Sequence, residues 1–367
     1  MLNKKIILAG GGTAGHVEPA LAVANWLKGN HPEVRCEFVG TLKGLENQLV
    51  PAAGFPLRII SKAPFPRRVS FGLLVWPFKF TKSLLDSFAV LKGADLVIGF
   101  GGYVSSPIYV MARFRGIQIL IHEANANPGW ANRLGARLGG RALISFEKTR
   151  QYGEPWKSAS YVGIPLRAEI CKVAETSKSE RDVIRVKKAK EWGFNPEKPI
   201  VLVFGGSLGS QHINSVIENS LSLISKSGIQ VVHGVGRNNA LPSSTESYLP
   251  VPYFSDIPEA YASADLIICR SGAVTCHELG VIGTYALLVP LSVGNGEQKL
   301  NGEELVAANA ATMISNKNFT TQWLSENLLG LLSTGKKRSA VKNQPLYPLD
   351  ATDRIGEIVV SSLEASK

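Results

Sequence analysis

Apolar residues along the chain fall into two alternating kinds of run. Short continuous runs, such as those at 4–9, 94–100 and 117–122, are typical of strands buried on both faces of a parallel sheet. Longer stretches such as 20–27 carry apolar residues at helical spacing and indicate helices that cover such a sheet. This alternation predicts a doubly wound α/β fold, whose ligands bind at the carboxyl ends of the strands.

The same pattern starts again near residue 199 with a strand, a glycine-rich turn and a helix. A polar, charged segment at 174–191 lies between the two series, next to the sequence GIPLR, and indicates that a hinge is close by. We therefore expect two Rossmann-like domains facing each other across a cleft, residues 1–165 and 166–348. Residues 349–367 should form a helix that packs back on the first domain. Further strands are predicted at 36–40, 56–61, 142–145, 230–234, 264–269 and 285–290.

Composition narrows the class of protein. The 367 residues include 45% apolar residues and carry a formal charge of +11, which favours an anionic partner such as a phosphorylated ligand or an acidic membrane surface. No run of five or six Lys and Arg occurs, so we expect no nucleic-acid partner. The four cysteines lack CxxC spacing and are expected to be reduced thiols in the cytoplasm. The strand–turn–helix start predicts no signal peptide, and no apolar run reaches about 20 residues, so any membrane association should be peripheral.

Four glycine-rich turns, at 10–15, 99–102, 205–209 and 270–273, each follow a predicted strand. Such turns direct backbone N–H groups and the positive end of a helix dipole toward a ligand. One turn alone is weak support, because any tight strand-to-helix turn needs glycine. Two in each domain predict a cleft suited to a diphosphate or to sugar hydroxyls.

His16 lies at the mouth of the first helix and is our candidate general base, with its pKa lowered by the positive helix end. Glu278 and Gln298 follow later turns and suit the hydroxyls of a ribose and a sugar; an exposed helical glutamate and a capping turn are the plainer alternatives. HExxH, GxSxG and P-loop patterns are absent, as is any Cys/His cluster with ligand spacing. We therefore expect no metal and no cofactor.

One segment, at 62–82, departs from the α/β pattern. Its aromatic and aliphatic residues alternate with basic ones, which suits the headgroup region of an anionic bilayer. The alternative is a loop and helix packed on the first domain. The residues predicted to face the membrane are Arg67, Arg68, Leu73, Leu74, Trp76, Phe78, Lys79 and Phe80.

These motifs together resemble the MurG family of glycosyltransferase family 28. The blocks that carry the resemblance are GGTAGHVEPALAVA, GFGGYVSSP, HEANANPGWANR, VGIPLR, FGGSLGSQ, ADLIICRSGAVTCHELG and VPLSVGNGEQKLN, in that order. The resemblance implies a GT-B type fold without a divalent metal. It also implies inverting transfer of N-acetylglucosamine from UDP-N-acetylglucosamine to the C4 hydroxyl of lipid I, which forms lipid II in peptidoglycan synthesis.

The resemblance also implies a location and partners. The protein would act at the cytoplasmic face of the bacterial cell membrane, on an anionic phospholipid surface, beside other cell-wall synthesis or division proteins. His16 would be the base. The donor would contact Thr13, Ala14, Gly15, Asn125, Arg167, Ser207, Phe254, Glu278 and Gln298. The acceptor would contact Gly12, Gly101, Gly102, Tyr103 and Ser105.

Three positions depart from the family pattern. Ala14 replaces a common glycine, Ala124 stands where glutamine is usual, and Glu18 stands where an apolar residue is frequent. Two other functions stay open. One is a different GT-B glycosyltransferase acting on a lipid or natural-product acceptor, and the other is a non-catalytic scaffold that binds sugar nucleotides.

Overall fold

The computed structural model describes residues 4–63, 72–291, 296–339 and 344–365, with only the backbone of residues 72–74 and 339. The chain divides into two compact units. Unit 1 comprises Met1–Arg167 and Pro348–Lys367, and unit 2 comprises Ala168–Tyr347. Each unit contains one parallel sheet covered by helices, which confirms the predicted α/β class with two domains.

The described residues of unit 1 form a sheet of seven strands in the order β3-β2-β1-β4-β5-β6-β7, all parallel. The six strands predicted in this half are confirmed to within two residues at each end, and β7 is a short edge strand that the apolar pattern missed. The strands are Lys5–Gly10 (β1), Arg35–Gly40 (β2), Leu57–Ile59 (β3), Leu96–Gly101 (β4), Gln118–Glu123 (β5), Arg141–Ile144 (β6) and Ser160–Tyr161 (β7).

The pleat of β1 divides the core of unit 1 into two layers. Ile6 and Leu8 point to one face of the sheet, and Ile7 and Ala9 point to the other. Helices cover both faces, as a strand apolar on both sides requires. They are Ala14–Asn30 (α1), Glu46–Ala52 (α2), Gly72–Val90 (α3), Ser105–Phe114 (α4) and Trp130–Arg137 (α5), with a 3₁₀ helix at Glu147–Tyr152.

The last helix of the chain belongs to unit 1 although it follows unit 2 in sequence. This helix, Ala351–Ala365, is numbered α13 because the helices of unit 2 precede it in the chain. Its residues Ile355, Val359 and Leu363 are fully buried in the same core layer as α1. The Trp26 indole N–H donates to Asp353 Oδ1 at 2.5 Å.

Unit 2 repeats the plan, and its residues outside the gaps at 292–295 and 340–343 form six parallel strands in the order β10-β9-β8-β11-β12-β13. The four predicted strands are confirmed, and the two edge strands β10 and β13 are additional. The strands are Ile200–Phe204 (β8), Gln230–Gly234 (β9), Tyr248–Val251 (β10), Leu266–Cys269 (β11), Ala286–Leu288 (β12) and Ala311–Met313 (β13). The helices are Ala168–Glu175 (α6), Lys178–Glu191 (α7), Gln211–Lys226 (α8), Ile257–Ser263 (α9), Ala273–Ile282 (α10), Glu297–Ala307 (α11) and Thr321–Ser339 (α12).

The polar segment 174–191 belongs to unit 2, just beyond the crossing between the units, which lies next to GIPLR where the sequence predicts a hinge. Most of it forms α7, which begins with a capping box between Ser177 and Glu180 and packs against α9 within unit 2. Arg185 pairs with Asp265 at 2.8 Å on the same unit. The segment is polar because one face of α7 is solvated, and the chain passes between the units directly after Arg167.

Candidate functional site

The four glycine-rich turns lie where the two strand orders reverse. In unit 1 the order reverses between β1 and β4, and in unit 2 between β8 and β11. The predicted turn at 10–15 begins at the last residue of β1, the predicted turn at 99–102 comprises the last three residues of β4 and Gly102, and the turns at 205–209 and 270–273 follow β8 and β11. Ligands of open parallel sheets bind outside the carboxyl ends of the strands at such a reversal. Each unit therefore has one candidate site.

In unit 1 the two turns touch each other. Gly10 pairs with Gly101 at the ends of β1 and β4. A Cβ on Gly102 would lie 2.8 Å from the carbonyl oxygen of Gly11, so a side chain there would push the turns apart. Gly12 and Gly101 have φ angles of +90° and +94°, a conformation that side chains rarely adopt. Glycine is therefore needed on both turns.

His16 lies in the first turn of α1 and packs against the second glycine turn. Its Nδ1 is 3.2 Å from the carbonyl oxygen of Gly11 and 3.2 Å from Thr13 Oγ1. A Cβ on Gly101 would lie 3.3 Å from Nε2. Burial lowers the pKa of His16, outweighing the Gly11 hydrogen bond and the nearby Glu46 charge, which raise it. The imidazole is thus neutral near pH 7, in the direction expected, with burial as the cause.

The residues predicted to contact the acceptor lie around these turns. The Tyr103 hydroxyl is 2.9 Å from Thr41 Oγ1, which follows β2. Ser105 is buried, and its hydroxyl lies 2.9 Å from the Ala9 carbonyl and 2.8 Å from the Gly101 carbonyl, so it joins the ends of β1 and β4. Contacts of these side chains with a ligand stay a prediction.

The loop after β5 folds around the buried carboxylate of Glu123. Its Oε1 accepts the Asn125 amide at 2.9 Å, and its Oε2 accepts the Gly129 amide at 2.8 Å and Asn132 Nδ2 at 2.9 Å. Burial raises the pKa of Glu123, against these hydrogen bonds, which lower it. Asn125, predicted to hold the sugar, is therefore fixed in place by its neighbour along the chain.

Tyr109 and Asn132 belong to this network and were not among the predicted site residues. Tyr109, on α4, donates to Asn132 Oδ1 at 2.9 Å, and its hydroxyl lies against the backbone of Gly99. Burial raises the pKa of Tyr109, so the phenol stays protonated and can donate. The available signal was Gly99 itself, a glycine inside a buried strand, which marks a close approach of another group.

Unit 2 has a cavity of about 430 Å³ at the reversal point of its sheet. This volume lies in the range of small-molecule sites. The turn before α8 and the start of α10 form its wall, so the positive ends of two helices face it. Ser210 caps α8 by accepting the Ile213 amide at 3.4 Å. Such an arrangement suits an anionic group, a diphosphate in particular.

Arg270 brings positive charge to this cavity and was not among the predicted site residues. Its guanidinium donates to the Val289 carbonyl at 2.9 Å, to Asn316 Oδ1 at 2.6 Å and to Ser210 Oγ at 2.6 Å. Burial lowers the pKa of Arg270. The guanidinium nevertheless stays charged, because the pKa of an arginine side chain is ordinarily far above neutral pH. Its place in the RSGA turn directly after a strand was the available signal.

Three of the predicted donor residues lie on or next to this cavity. Gln298 lines it, and its Oε1 accepts the Leu291 amide at 2.9 Å. Phe254 packs edge-on against Phe204, which also lines the cavity. Ser207 belongs to the turn whose glycines line it.

Two further predicted donor residues, Glu278 and Arg167, are placed differently. Glu278 is buried on α10 and accepts the Tyr261 hydroxyl at 3.0 Å, so it is not the exposed helical glutamate of the plainer alternative. Arg167 is the last residue of unit 1 before the crossing to unit 2. Neither is among the residues that line the cavity.

Helix α3 carries six of the eight predicted membrane residues. Phe78 is 76% exposed and Lys79 is exposed, whereas Trp76 donates its indole N–H to the Ala63 carbonyl at 3.3 Å and stacks on Phe80. Among the described residues, no helix has the length and apolar character needed to cross a membrane. Arg67 and Arg68, and the side chains of Leu73 and Leu74, lie outside the part that the structure describes.

Comparison with known families and relatives agrees with this two-unit plan. Residues 6–144 match the glycosyltransferase family 28 N-terminal domain, and residues 200–352 match its C-terminal domain. A protein of Corynebacterium efficiens is 45% identical over 321 residues, which cover 87% of this chain and 86% of that protein. That relative is named UDP-N-acetylglucosamine–N-acetylmuramyl-(pentapeptide) pyrophosphoryl-undecaprenol N-acetylglucosamine transferase.

Solved structures extend the comparison. The crystal structure of Acinetobacter baumannii MurG is 26% identical, with a TM-score of 0.73 over 98% of this chain and 99% of that one. A UDP-GlcNAc 2-epimerase from Neisseria meningitidis is only 15% identical, with a TM-score of 0.64 over 97% of this chain and 100% of that one. The second likeness concerns the fold alone, so the architecture by itself does not separate a transferase from an epimerase.

Proposed function

The chain belongs to glycosyltransferase family 28, and on that premise we propose that it transfers N-acetylglucosamine from UDP-N-acetylglucosamine to the C4 hydroxyl of lipid I, forming lipid II. The observation that carries this proposal is the 45% identity, over most of both chains, to a relative named as that transferase. The fold alone would leave the reaction open. The two family 28 domain matches, at residues 6–144 and 200–352, include the glycine-rich turns of both candidate sites.

The donor binds to unit 2 in this proposal. The starts of α8 and α10 face the cavity, and Arg270 adds a fixed charge, which together suit the diphosphate of UDP. Gln298 and Ser207 hold polar groups of the donor, Phe254 contacts the uracil with its backbone, and the Glu278 carboxylate accepts the ribose hydroxyls. The same donors stabilise the UDP leaving group as negative charge develops on it.

The acceptor binds to unit 1. Backbone groups of Gly12, Gly101 and Gly102, with Tyr103 and Ser105, receive the lipid diphosphate. His16 takes the proton of the attacking hydroxyl as that oxygen displaces UDP from the anomeric carbon. The donor bond is α and the product bond is β, so one displacement with a general base accounts for the inversion.

The tautomer of His16 supports its role as the base. The carbonyl oxygen of Gly11 only accepts hydrogen bonds, so its 3.2 Å contact with Nδ1 favours the tautomer with the proton on that nitrogen, in which Thr13 Oγ1, also at 3.2 Å, acts as an acceptor. Nε2 then carries a lone pair, and the lowered pKa keeps it unprotonated near pH 7. A neutral imidazole with a free lone pair is what proton removal requires.

We also propose that helix α3 rests on an anionic phospholipid surface at the cytoplasmic face of the membrane. Phe78 and Leu85 on α3 and Phe114 on α4 are 76%, 67% and 75% exposed. Lys79 and Lys82 are exposed on the same helix. Exposed aromatic side chains beside lysine suit the headgroup boundary of an acidic bilayer.

The deciding experiment supplies purified protein with UDP-N-acetylglucosamine and a lipid I analogue, and follows labelled sugar into the lipid. Transfer with release of UDP is the expected result. A diacylglycerol acceptor and a reaction without acceptor serve as parallel arms. Transfer to diacylglycerol alone would favour a different glycosyltransferase. UDP binding without any transfer would favour a scaffold, and release of 2-epimerised sugar an epimerase.

A further inference from the structure

Glu46 is a fully buried carboxylate that none of the sequence motifs indicated. It is the first residue of α2 and is 0% exposed. Its two oxygens accept hydrogen bonds from two different segments. Oε1 accepts the Thr41 amide, after β2, at 2.9 Å, and Oε2 accepts the Gly12 amide, after β1, at 2.9 Å. None of the ion pairs among the described residues includes Glu46.

The surrounding backbone leaves room for this carboxylate. A Cβ on Gly11 would lie 2.9 Å from Glu46 Oε1, and Cβ atoms on Gly40 and Gly44 would overlap the Glu46 side chain. Three glycines from two separate loops therefore line one acidic side chain. A buried charge is costly unless hydrogen bonds compensate it, and here the glycine turn supplies one of them.

A single peptide group connects Glu46 to His16. The carbonyl oxygen of Gly11 contacts His16 Nδ1 at 3.2 Å, and the N–H of Gly12 donates to Glu46 Oε2 at 2.9 Å. These two groups belong to the same peptide bond. An anion at the N–H end polarises the peptide and makes its carbonyl a stronger acceptor. The carboxylate thus acts on the imidazole through one planar group.

We propose that Glu46 is a positioning residue for proton transfer, because its carboxylate, acting through the Gly11–Gly12 peptide, keeps the His16 proton on Nδ1 and leaves Nε2 as the accepting atom. The inference rests on the proposed role of His16 as general base. Glu46 does not touch the substrate in this proposal. It fixes the glycine turn, selects the tautomer and stabilises the imidazolium that forms when Nε2 takes the acceptor proton.

The electrostatic surroundings of His16 are consistent with this role. The titratable groups near the imidazole are Glu46 after β2, His122 at the end of β5 and Tyr103 after β4, the last linked to Glu46 through Thr41. Burial lowers the pKa of His122 to about 4, so it is neutral near pH 7. The electrostatic effect of Glu46 raises the pKa of His16 and therefore favours imidazolium.

The test compares Glu46→Gln with the wild type and with Glu33→Gln, a control that removes a partly exposed acid of the same unit. A glutamine amide must place its NH₂ against one of the two N–H groups, so the turn loses a hydrogen bond. We expect kcat to fall about 10- to 100-fold, the scale of a displaced catalytic group, with unchanged UDP affinity. Loss of the anion also lowers the pKa of His16, so the acid limb of the kcat/KM profile should move to lower pH.

A double-mutant cycle of Glu46→Gln with His16→Ala tests whether Glu46 affects kcat through His16. His16→Ala should lower kcat by roughly 10²- to 10⁴-fold, and Glu46→Gln should add little in that background, because coupled residues are not additive. Wild-type kcat in His16→Ala would overturn the base assignment and this inference together. Impaired His16→Ala with an unaltered rate and pH profile in Glu46→Gln would overturn the Glu46 inference alone.

Glu46→Asp covers the case in which Glu46→Gln does not fold. Aspartate keeps the charge but is one methylene too short to reach both amides. We expect a lower kcat with an acid limb close to that of the wild type, and circular dichroism to confirm the fold. A wild-type rate in folded Glu46→Asp would show that the carboxylate does not position His16.

Discussion

His16 is chemically useful because of which of its nitrogen atoms carries the proton. The motif alone placed a histidine at a helix start and predicted a base. The structure adds the Gly11 carbonyl at 3.2 Å from Nδ1, which selects the tautomer. It also adds burial as the reason for the lowered pKa. These two facts depend on atoms from other segments, so no local pattern contains them.

For Glu278 the structure excludes the plainer of the two interpretations that the sequence allowed, an exposed glutamate on a helix. Glutamate is usually exposed on helices, yet this one is 6% exposed and accepts the Tyr261 hydroxyl at 3.0 Å. The hydroxyl fixes one carboxylate oxygen. A buried carboxylate held in one orientation suits recognition of a ribose diol better than a mobile surface glutamate does.

At the residue scale we predict that Glu278→Ala weakens UDP binding roughly 10- to 100-fold, the worth of hydrogen bonds to a charged group. Isothermal titration calorimetry with UDP measures this directly. Glu326→Ala, which removes an exposed acid of unit 2, is the matched control. Equal affinities in Glu278→Ala and the wild type would rule out the ribose assignment.

At the element scale, the strand-to-helix turns position both candidate sites. The sequence predicted each turn from a strand followed by glycines. Which turns are neighbours follows from the strand order, since β1 pairs with β4 although β2 and β3 lie between them in the chain. The same applies to Tyr109, whose hydroxyl rests on Gly99.

We predict that Gly99→Ala destabilises the protein by about 1–3 kcal/mol, because the new methyl would overlap the Tyr109 hydroxyl. Gly29→Ala is the control. Gly29 lies in α1, has no atom near its Cβ position and should gain up to about 1 kcal/mol of helix propensity.

Urea denaturation of both variants gives the comparison. Tyr109→Phe should recover part of the Gly99→Ala loss by removing the overlapping oxygen. A Gly99→Ala variant as stable as Gly29→Ala would mean that the strand moves without cost.

Helix α3 allows a sharper membrane test than its composition alone suggested. Trp76 is tied to the Ala63 carbonyl and to Phe80, so its replacement would disturb the fold. Phe78, which is 76% exposed, is the cleaner probe. We predict that Phe78→Ser reduces partitioning onto anionic vesicles about 10-fold or more, because the variant lacks the phenyl group that the bilayer would bury.

Co-sedimentation with vesicles of anionic phospholipid measures this partitioning. Leu329→Ser, which removes a 64% exposed leucine from α12 of unit 2, is the control for a general loss of exposed apolar surface. Equal binding by the two variants would assign Phe78 no membrane contact.

At the scale of the whole molecule, the chain returns to its first unit. Helix α13 buries Ile355, Val359 and Leu363 completely against the core layer that contains α1. We predict that Leu363→Ala lowers the stability of unit 1 by about 2–5 kcal/mol, whereas the exposed Glu364→Ala has little effect. Unit 2 should be unaffected, since α13 belongs to unit 1.

Native-state hydrogen exchange separates the two units in this test. Protection should fall for amides of β1 and β2 in Leu363→Ala and remain in β8 and β11. A uniform loss of protection in both units would show that they unfold as one cooperative body.

The sequence by itself determined the α/β class, the division into two repeats, ten of the thirteen strands formed by the described residues and the glycine-rich ends of β1, β4, β8 and β11. These follow from local periodicity and from the backbone needs of tight turns, which are properties of neighbouring residues. The three missed strands are two to four residues long at sheet edges, too short for a periodic signal.

Only the tertiary structure decided which groups meet at each site. Glu46 and the Gly11–Gly12 peptide come from different segments, as do Arg270 and Ser210. The role of such a carboxylate or guanidinium depends on the groups it contacts, and its local sequence does not specify those groups. Parallel strands joined by crossovers bring distant loops to one edge of the sheet. The pairing of β1 with β4 and of β8 with β11 therefore turns four separate motifs into two sites.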